Sequence, residues 1–136
     1  MLEFQTTIRT RYAETDQMGY IYYAHYLTYL EVARTEAIKQ IGISYRNLED
    51  EYGIMLPVAE AHLDYKQPAK YDDLLVLTTK FNAQPSVKIR FDTEICHESG
   101  VLLAKGYVTL VFVNKENMKP CRPPQVFIDA LEKFQK

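Results

Sequence analysis

The chain has 136 residues, of which 47% are hydrophobic and 25% are charged, and its formal net charge is −2 at pH 7. This length and composition fit a single compact domain over residues 1–136, and the near-neutral charge with scattered Lys and Arg argues against a nucleic-acid-binding or membrane-surface protein. Because residues 1–11 are polar and no apolar run reaches the length of a membrane span, we expect a cytoplasmic protein without a signal peptide.

One long helical pattern dominates the first third of the chain. Residues 4–11, FQTTIRTR, precede it and are rich in β-branched side chains, which predicts a first strand. Between residues 26 and 41 apolar side chains recur at steps of three and four, which predicts a helix that stops at Gly42. Three further apolar residues lie outside the main stripe, so we expect other elements to wrap around the helix. They are Leu27, Val32 and Ile38. The polar side carries Glu31, Arg34 and Thr35.

Two further helices and four strands are predicted after this helix. Ser44 is a suitable N-cap for a short helix that runs through residue 52 and is ended by Gly53. Period-two alternation and turn residues predict strands over residues 56–66, 74–81, 87–95 and 101–113, and helical spacing returns over residues 124–134. The last strand is nearly all apolar, so we expect both of its faces to be buried, the outer one by another subunit. This order favours an α+β fold in which an antiparallel sheet of about five strands curls around the long helix.

The turn before the long helix carries the leading candidate for catalysis. It reads DQMG from Asp16 to Gly19, where the Asp side chain can bond to its own downstream amides and the Gly can adopt a positive φ. An acid therefore lies beside a helix start, where unpaired amides and a carboxylate can supply an oxyanion site and a base or nucleophile. From the residues alone, an ordinary Asx turn or helix cap is the favoured interpretation.

The chain is also rich in tyrosine, with 11 Tyr and no Trp. Six of them precede or open the helix, namely Tyr12, Tyr20, Tyr22, Tyr23, Tyr26 and Tyr29. Aromatic rings with polar tips suit either an acyl pocket or a subunit interface, and both interpretations stay open. Cys96 and Cys121 form no CxxC pair and are expected to be free thiols, while His62 and His97 lack the spacing of a metal site and are expected on a solvated strand face.

Several of these residues carry a resemblance to a known family. Residues 12–19, YAETDQMG, then Tyr22 and Tyr26, then residues 31–36, EVARTE, resemble the signature of hotdog-fold acyl-CoA thioesterases of the 4-hydroxybenzoyl-CoA thioesterase and YbgC type. Five later positions also fit, so the resemblance covers nearly the whole chain. They are Val58, Asp64, Tyr65, Gly106 and Tyr107. The resemblance implies a hotdog fold, dimers that join their sheets edge to edge, and often a homotetramer.

The resemblance also implies site residues. The acid matching Asp16 is catalytic in that family, as general base or as nucleophile on the thioester carbonyl, and the backbone amide matching Tyr23 is the proposed oxyanion donor. YbgC-like members add the residue matching Tyr12 and a histidine at the position of Tyr23. Because this chain has Tyr23 there instead, the aspartate-plus-amide mechanism of the 4-hydroxybenzoyl-CoA enzyme is favoured. A role for Tyr12 in orienting Asp16 stays open beside simple packing at the end of the strand, which is the more usual role of an aromatic residue there.

The resemblance thus predicts hydrolysis of acyl-CoA to free acid and CoA, with no metal or redox cofactor. Gly19 and Tyr26 are expected beside the substrate. Four cations are candidates for the CoA phosphates, with plain surface exposure as the alternative. They are Lys88, Arg90, Lys119 and Arg122. Three other functions stay open: hydrolysis of acyl-carrier-protein thioesters, non-catalytic acyl-CoA binding on the same fold, and a purely structural oligomer.

Overall fold

A computed structural model describes residues 1–135 of the chain. The strands are β1 (Leu2–Arg9), β2 (Ile54–Met55), β3 (Val58–Tyr65), β4 (Leu74–Phe81), β5 (Lys88–His97), β6 (Leu102–Val111) and β7 (Val113–Asn114). The helices are α1 (His25–Gln40), α2 (Tyr45–Tyr52) and α3 (Gln125–Gln135), with a single 3-10 turn at Tyr12–Glu14. No helix in residues 1–135 combines the length and apolarity that crossing a membrane requires.

The main sheet wraps around α1, as the helical pattern predicted. Its strand order is β1-β4-β5-β6-β3, with every neighbouring pair antiparallel, and β2 pairs with β7 in a separate two-stranded sheet. The apolar stripe of α1 is buried against β1, β4, β5 and β6. Ile38, which lies off that stripe, is also buried, whereas Leu27 remains 46% exposed. The predicted α+β arrangement is therefore confirmed, with one uncovered side of the helix near its start.

Helix α2 begins and ends where its capping residues predicted. Ser44 Oγ accepts a hydrogen bond from Asn47 N at 3.0 Å, which satisfies one of the free amides of the first turn. Gly53 ends the helix in the left-handed conformation, with a φ of 65°. These local signals need no tertiary contacts, which is why the sequence locates this helix so well.

Three strand predictions need correction. β1 spans Leu2–Arg9 rather than residues 4–11, because the Thr10 amide and hydroxyl turn away to bond the carbonyls of Asp73 and Lys70. β3 spans Val58–Tyr65 rather than residues 56–66, and it is exposed along most of its length because it is an edge strand that pairs only with β6 in this chain. β6 spans Leu102–Val111 rather than residues 101–113, because Val113 leaves the main sheet to pair with Met55 of β2. Ala104, Val108 and Leu110 of β6 face α1, whereas Lys105 and Tyr107 lie toward the outer surface of the sheet, and the cover of that surface by another subunit stays a prediction.

Helix α3 closes the open end of the core beside the sheet. Phe127 and Leu131 are buried, and the Phe127 ring meets Phe112 edge to face with centroids 5.4 Å apart. Near the end of the helix, the Phe134 ring packs on Phe4 of β1 at 5.3 Å. The amphipathic spacing predicted for residues 124–134 therefore corresponds to an observed core contact.

Candidate active site

A tight loop between β1 and α1 holds Asp16. Asp16 Oδ1 accepts hydrogen bonds from Met18 N at 2.9 Å and Tyr20 N at 3.1 Å, and the backbone of Asp16 is bonded to Tyr20 and Gly19. Gly19 has a φ of 80°, which explains why glycine suits this turn. The Asx turn favoured from the residues alone is therefore present. It uses Oδ1 of the carboxylate, and no hydrogen bond joins Oδ2 to any group in residues 1–135.

The loop is anchored by Glu14, which the sequence analysis did not identify. Its side chain is 4% exposed and accepts hydrogen bonds from Arg11 N, from the Arg11 guanidinium at 2.8 Å, and from Tyr29 Oη at 2.8 Å. Burial raises the pKa of this carboxyl, but the bonds from Arg11 and Tyr29 outweigh burial and hold the pKa below its ordinary value. The Glu14 carbonyl also accepts from Tyr22 N at 2.8 Å. Glu14 thus fixes both ends of the loop that presents Asp16.

The residues just before α1 carry free amides. Tyr22 O accepts from His25 N at 2.9 Å, so the peptide between Tyr22 and Tyr23 directs its carbonyl into the helix. In a trans peptide the N–H points the opposite way, so Tyr23 N–H is directed away from the helix. No group in residues 1–135 accepts a hydrogen bond from it. A free amide at a helix start is a natural donor to an oxyanion.

Two tyrosines fix the position of this helix start. Tyr65 Oη of β3 donates to Tyr23 O at 3.0 Å, and its ring packs on Tyr26 with centroids 5.0 Å apart. Tyr26 Oη accepts from Ala69 N at 3.0 Å. Burial raises the pKa of the Tyr26 hydroxyl and the Ala69 bond opposes that rise, while the nearby charge of Asp16 is among those that add to it. Tyr26 and Tyr65 therefore join the start of α1 to β3 and to the segment that precedes β4.

The remaining predicted site residues are more scattered. The Tyr12 ring is 77% exposed and packs on Tyr71 at 5.7 Å, and its hydroxyl makes no hydrogen bond to Asp16, so the orienting contact is absent from the described residues. Tyr26 is 2% exposed, which makes it part of the core rather than an open pocket wall. His25 opens α1, and its ring packs against Tyr22 at 6.3 Å.

The four candidate CoA cations fall into two groups. Lys88 and Arg90 line one cavity at the start of β5, and Arg90 also pairs with Asp92 at 3.0 Å and covers the Tyr107 ring at 3.7 Å. Lys119 and Arg122 are exposed in the loop between β7 and α3. Within residues 1–135 no group of three or more His, Cys, Asp or Glu is arranged to hold a metal ion.

The two histidines considered for a metal site have different surroundings. His62 lies on the outer face of the sheet and stacks on Tyr107 with centroids 5.5 Å apart, as expected for a solvated strand face. His97 is instead half-buried at the end of β5, where Nδ1 shares a hydrogen bond with Ser99 Oγ at 2.8 Å. The expectation of a solvated face is therefore wrong for His97, because the turn after β5 folds back onto its ring.

Comparison with known proteins identifies the family of the chain. Residues 10–131 match the family model described as the thioesterase-like superfamily, which covers the Asp16 loop, α1 and the whole of the sheet beyond β1. The chain belongs to the thioesterase-like superfamily. The resemblance drawn from the loop and helix residues is thereby confirmed at the level of the family.

Individual relatives extend along nearly the full chain. YneP of Bacillus subtilis is 36% identical over 132 residues and covers 95% of both chains, and the acyl-CoA thioesterase YbgC of Haemophilus influenzae is 30% identical, covering 90% of this chain and 89% of its own. The solved structure of a DHNA-CoA thioesterase from Staphylococcus aureus is 33% identical, with a TM-score of 0.90, covering 99% of this chain and 92% of that one. The hotdog fold predicted for this chain is confirmed.

Proposed function

We propose that this protein hydrolyses acyl-CoA thioesters to a free acid and CoA, with Asp16 as its catalytic carboxylate. The observation that carries the proposal is that only one of the two Asp16 carboxylate oxygens is hydrogen-bonded within residues 1–135. Oδ1 holds the turn, Oδ2 is left for chemistry, and the free Tyr23 amide lies on the other arm of the same loop. A merely structural Asx turn does not require an unpaired amide elsewhere in the same loop.

Thioester hydrolysis needs a general base or a nucleophile, and it needs a hydrogen-bond donor to the thioester carbonyl oxygen. In this proposal the thioester carbonyl oxygen accepts a hydrogen bond from Tyr23 N–H, which stabilises the negative charge that develops on that oxygen. One such donor typically lowers the activation free energy by about 3 kcal/mol. As a base, Asp16 takes a proton from water while the water oxygen bonds to the carbonyl carbon; the C–S bond then breaks and CoA leaves as thiolate, which takes up the proton. As a nucleophile, Asp16 forms an acyl anhydride with loss of CoA thiolate, and water then hydrolyses that anhydride.

Tyr12 enters the proposal only through the family resemblance. Its exposed ring lies beside the Asp16 loop, and a substrate passing over the loop would meet it. Gly19 is proposed to let the loop backbone approach the substrate. Tyr26, which is buried in the core, is proposed to pack behind the residues that contact the acyl group. Lys88, Arg90, Lys119 and Arg122 are proposed to bind CoA phosphates, which favour exposed cations of this kind.

The assembly is proposed to be a homodimer joined along β3, or a homotetramer built from such dimers, in the cytoplasm. β3 is an eight-residue edge strand that is exposed along most of its length. Unpaired edges of this kind are usually covered, because their free N–H and C=O groups pair with any available strand. Exposed Val58 on β3 and Leu27 on α1 line one shallow cavity, which gives the same edge an apolar border.

Release of free thiol from a panel of thioesters tests the proposed activity. The panel contains octanoyl-CoA, 4-hydroxybenzoyl-CoA, 1,4-dihydroxy-2-naphthoyl-CoA and an octanoyl-carrier protein. 1,4-Dihydroxy-2-naphthoyl-CoA is included because a similar hydrolase of Synechococcus elongatus and a similar structure from Synechocystis are named for it. Turnover of at least one CoA ester is expected. Preference for the carrier protein would favour that alternative, saturable binding without turnover would indicate a binding module, and neither binding nor turnover would leave only a structural role.

A further inference from the structure

A second cavity lies away from the Asp16 loop, between α1, α2, β2 and β6. Its volume is about 420 Å³, within the range of roughly 300–1,000 Å³ that small-molecule sites occupy. Arg34 lies nine residues beyond the start of α1, which places it about 13 Å farther along the helix axis than the candidate oxyanion site. The cavity is therefore a separate feature of the molecule.

The floor of this cavity contains a buried cation without a close counter-ion. Arg34 is 9% exposed, so the expectation that it lies on a solvated side of α1 is wrong. Its one ion pair is with Glu31, 4.0 Å away, and the Glu31 side chain is 67% exposed. A buried guanidinium ordinarily satisfies its donors with close hydrogen bonds, because removing it from water is costly. Arg34 forms none that meets hydrogen-bond geometry within residues 1–135.

The same cavity contains an unpartnered hydroxyl. Tyr45 Oη is buried and has no hydrogen-bond partner in the described part of the chain. Burial raises the pKa of this hydroxyl, and both the charge of Arg34 and a donor contact from its guanidinium, which falls outside hydrogen-bond geometry, oppose that rise. Because an arginine can only donate, the hydroxyl proton still lacks an acceptor. Buried hydroxyls are seldom left in this state. The Arg34 guanidinium and the Tyr45 hydroxyl therefore both have donors that an acceptor bound in this cavity would satisfy.

The other residues that line the cavity indicate the chemistry of the rest of the ligand. The sides of the cavity are largely apolar, formed by Ile54, Met55, Leu56, Pro57, Leu110 and Met118. Glu31 and Glu49 also line the cavity and are exposed, so they disfavour a ligand with several negative charges. A single carboxylate matches the fork of a guanidinium and can accept from the tyrosine as well. We propose that this cavity binds an organic monocarboxylate with an apolar body, its carboxylate held by Arg34 and Tyr45. This class includes the acids that thioester hydrolysis would release, but the proposal does not depend on that activity.

Direct binding measurements on the full-length protein test the proposal. Octanoate and 3-phenylpropanoate are titrated by calorimetry, with 1-octanol and 3-phenylpropan-1-ol as uncharged counterparts of the same shape. The carboxylates are expected to bind saturably and at least about tenfold more tightly than the alcohols, because only they satisfy both donors. CoA, with its several phosphates, is expected not to displace octanoate.

Variants assign the binding to this cavity. Tyr45→Phe removes only a hydroxyl that has no partner, so it is expected to fold and to weaken octanoate binding roughly threefold to tenfold. Arg34→Gln is expected to weaken it tenfold or more, while Lys39→Gln, an exposed cation on the same helix, and Asp16→Asn should leave the affinity unchanged. Equal affinity for the acids and the alcohols would overturn the proposal, and so would the absence of any binding, as when a second copy covers the cavity. Among the variants, an unchanged affinity in Tyr45→Phe or a loss of affinity in Asp16→Asn would overturn it as well.

Discussion

At the scale of single residues, two acids two positions apart have opposite environments. Glu14 is buried and fully bonded, whereas Asp16 is half-buried and keeps one oxygen without a bond to residues 1–135. The difference arises from where their partners lie. Tyr29 reaches Glu14 from α1, while Asp16 bonds only to amides of its own turn. The first acid therefore holds the loop, and the second is available for proton transfer or attack.

Glu14→Gln is predicted to reduce stability by about 1–3 kcal/mol at pH 7, because an amide replaces a carboxylate that accepts from Arg11 and Tyr29. The pKa of Glu14 is held below its ordinary value of 4.5. Its stabilisation is therefore complete above pH 4.5 and is lost as pH falls through the lower pKa of the folded state. Urea unfolding at several pH values measures this.

The difference in unfolding free energy between wild type and Glu14→Gln should narrow as pH falls below 4.5, because the unfolded wild type takes up the proton first. The narrowing should be complete once pH is below the lower pKa of the folded state, where both proteins carry a neutral side chain at this position. Glu116→Gln, which changes an exposed acid in the loop after β7, serves as the control and should match wild type at every pH. If the difference in unfolding free energy between wild type and Glu14→Gln stayed constant as pH falls below 4.5, the charge of Glu14 would not stabilise the fold.

At the scale of elements, β3 and β6 approach each other closely at Gly106. Gly106 is opposite Leu63 and Thr93, and a Cβ at this position would collide with the His62 carbonyl oxygen and lie 2.9 Å from Leu63 Cδ2. No other glycine of the chain is so crowded. The missing side chain lets the edge strand approach, which also brings Tyr65 to the start of α1.

Gly106→Ala is predicted to destabilise the protein by roughly 1–3 kcal/mol, because the two strands must separate to admit the methyl group. Chemical unfolding gives the change, with Lys105→Ala, the exposed neighbour on the same strand, as the control. Turnover should fall as well if the shift of β3 moves Tyr65 away from Tyr23. Equal stability of Gly106→Ala and Lys105→Ala would contradict the close approach.

The elements also indicate what the sequence can and cannot predict. α1, α2 and β4 lie within one residue of their predicted bounds, since periodicity and caps are local signals. The exposure of β3 and of the outer face of β6 depends on position in the sheet, which alternation does not encode. Asp16 was found from turn chemistry and resemblance. Glu14 was missed because its partner Tyr29 lies fifteen residues away on another element, and the pairing appears only when both are folded.

At the scale of the whole molecule, the exposed β3 edge and the uncovered start of α1 form one continuous border. Val58 is 52% exposed there, beside Leu27 and Ala61. Self-association along this border would cover apolar side chains and satisfy the edge strand at the same time. The proposed dimer therefore follows from features of a single chain.

Val58→Asp is predicted to shift the protein toward monomer, because it places a charge in an apolar contact between edges. Light scattering coupled to gel filtration measures the mass. Val101→Asp is the matched control, since Val101 is comparably exposed but lies in the turn before β6, away from the border. An unchanged mass in Val58→Asp, with wild type oligomeric, would mean that the subunits join elsewhere.

The central claim, that Asp16 performs the chemistry of thioester hydrolysis, is tested most directly by the kcat of Asp16→Asn. The substituted amide oxygen can still accept from Met18 N and Tyr20 N, so the turn should persist while the charge is lost. We predict that kcat falls by about 10²-fold or more while acyl-CoA binding persists. Asp50→Asn, an exposed acid on α2, should retain wild-type kcat. An Asp16→Asn protein that turns over acyl-CoA at the wild-type rate would contradict the claim.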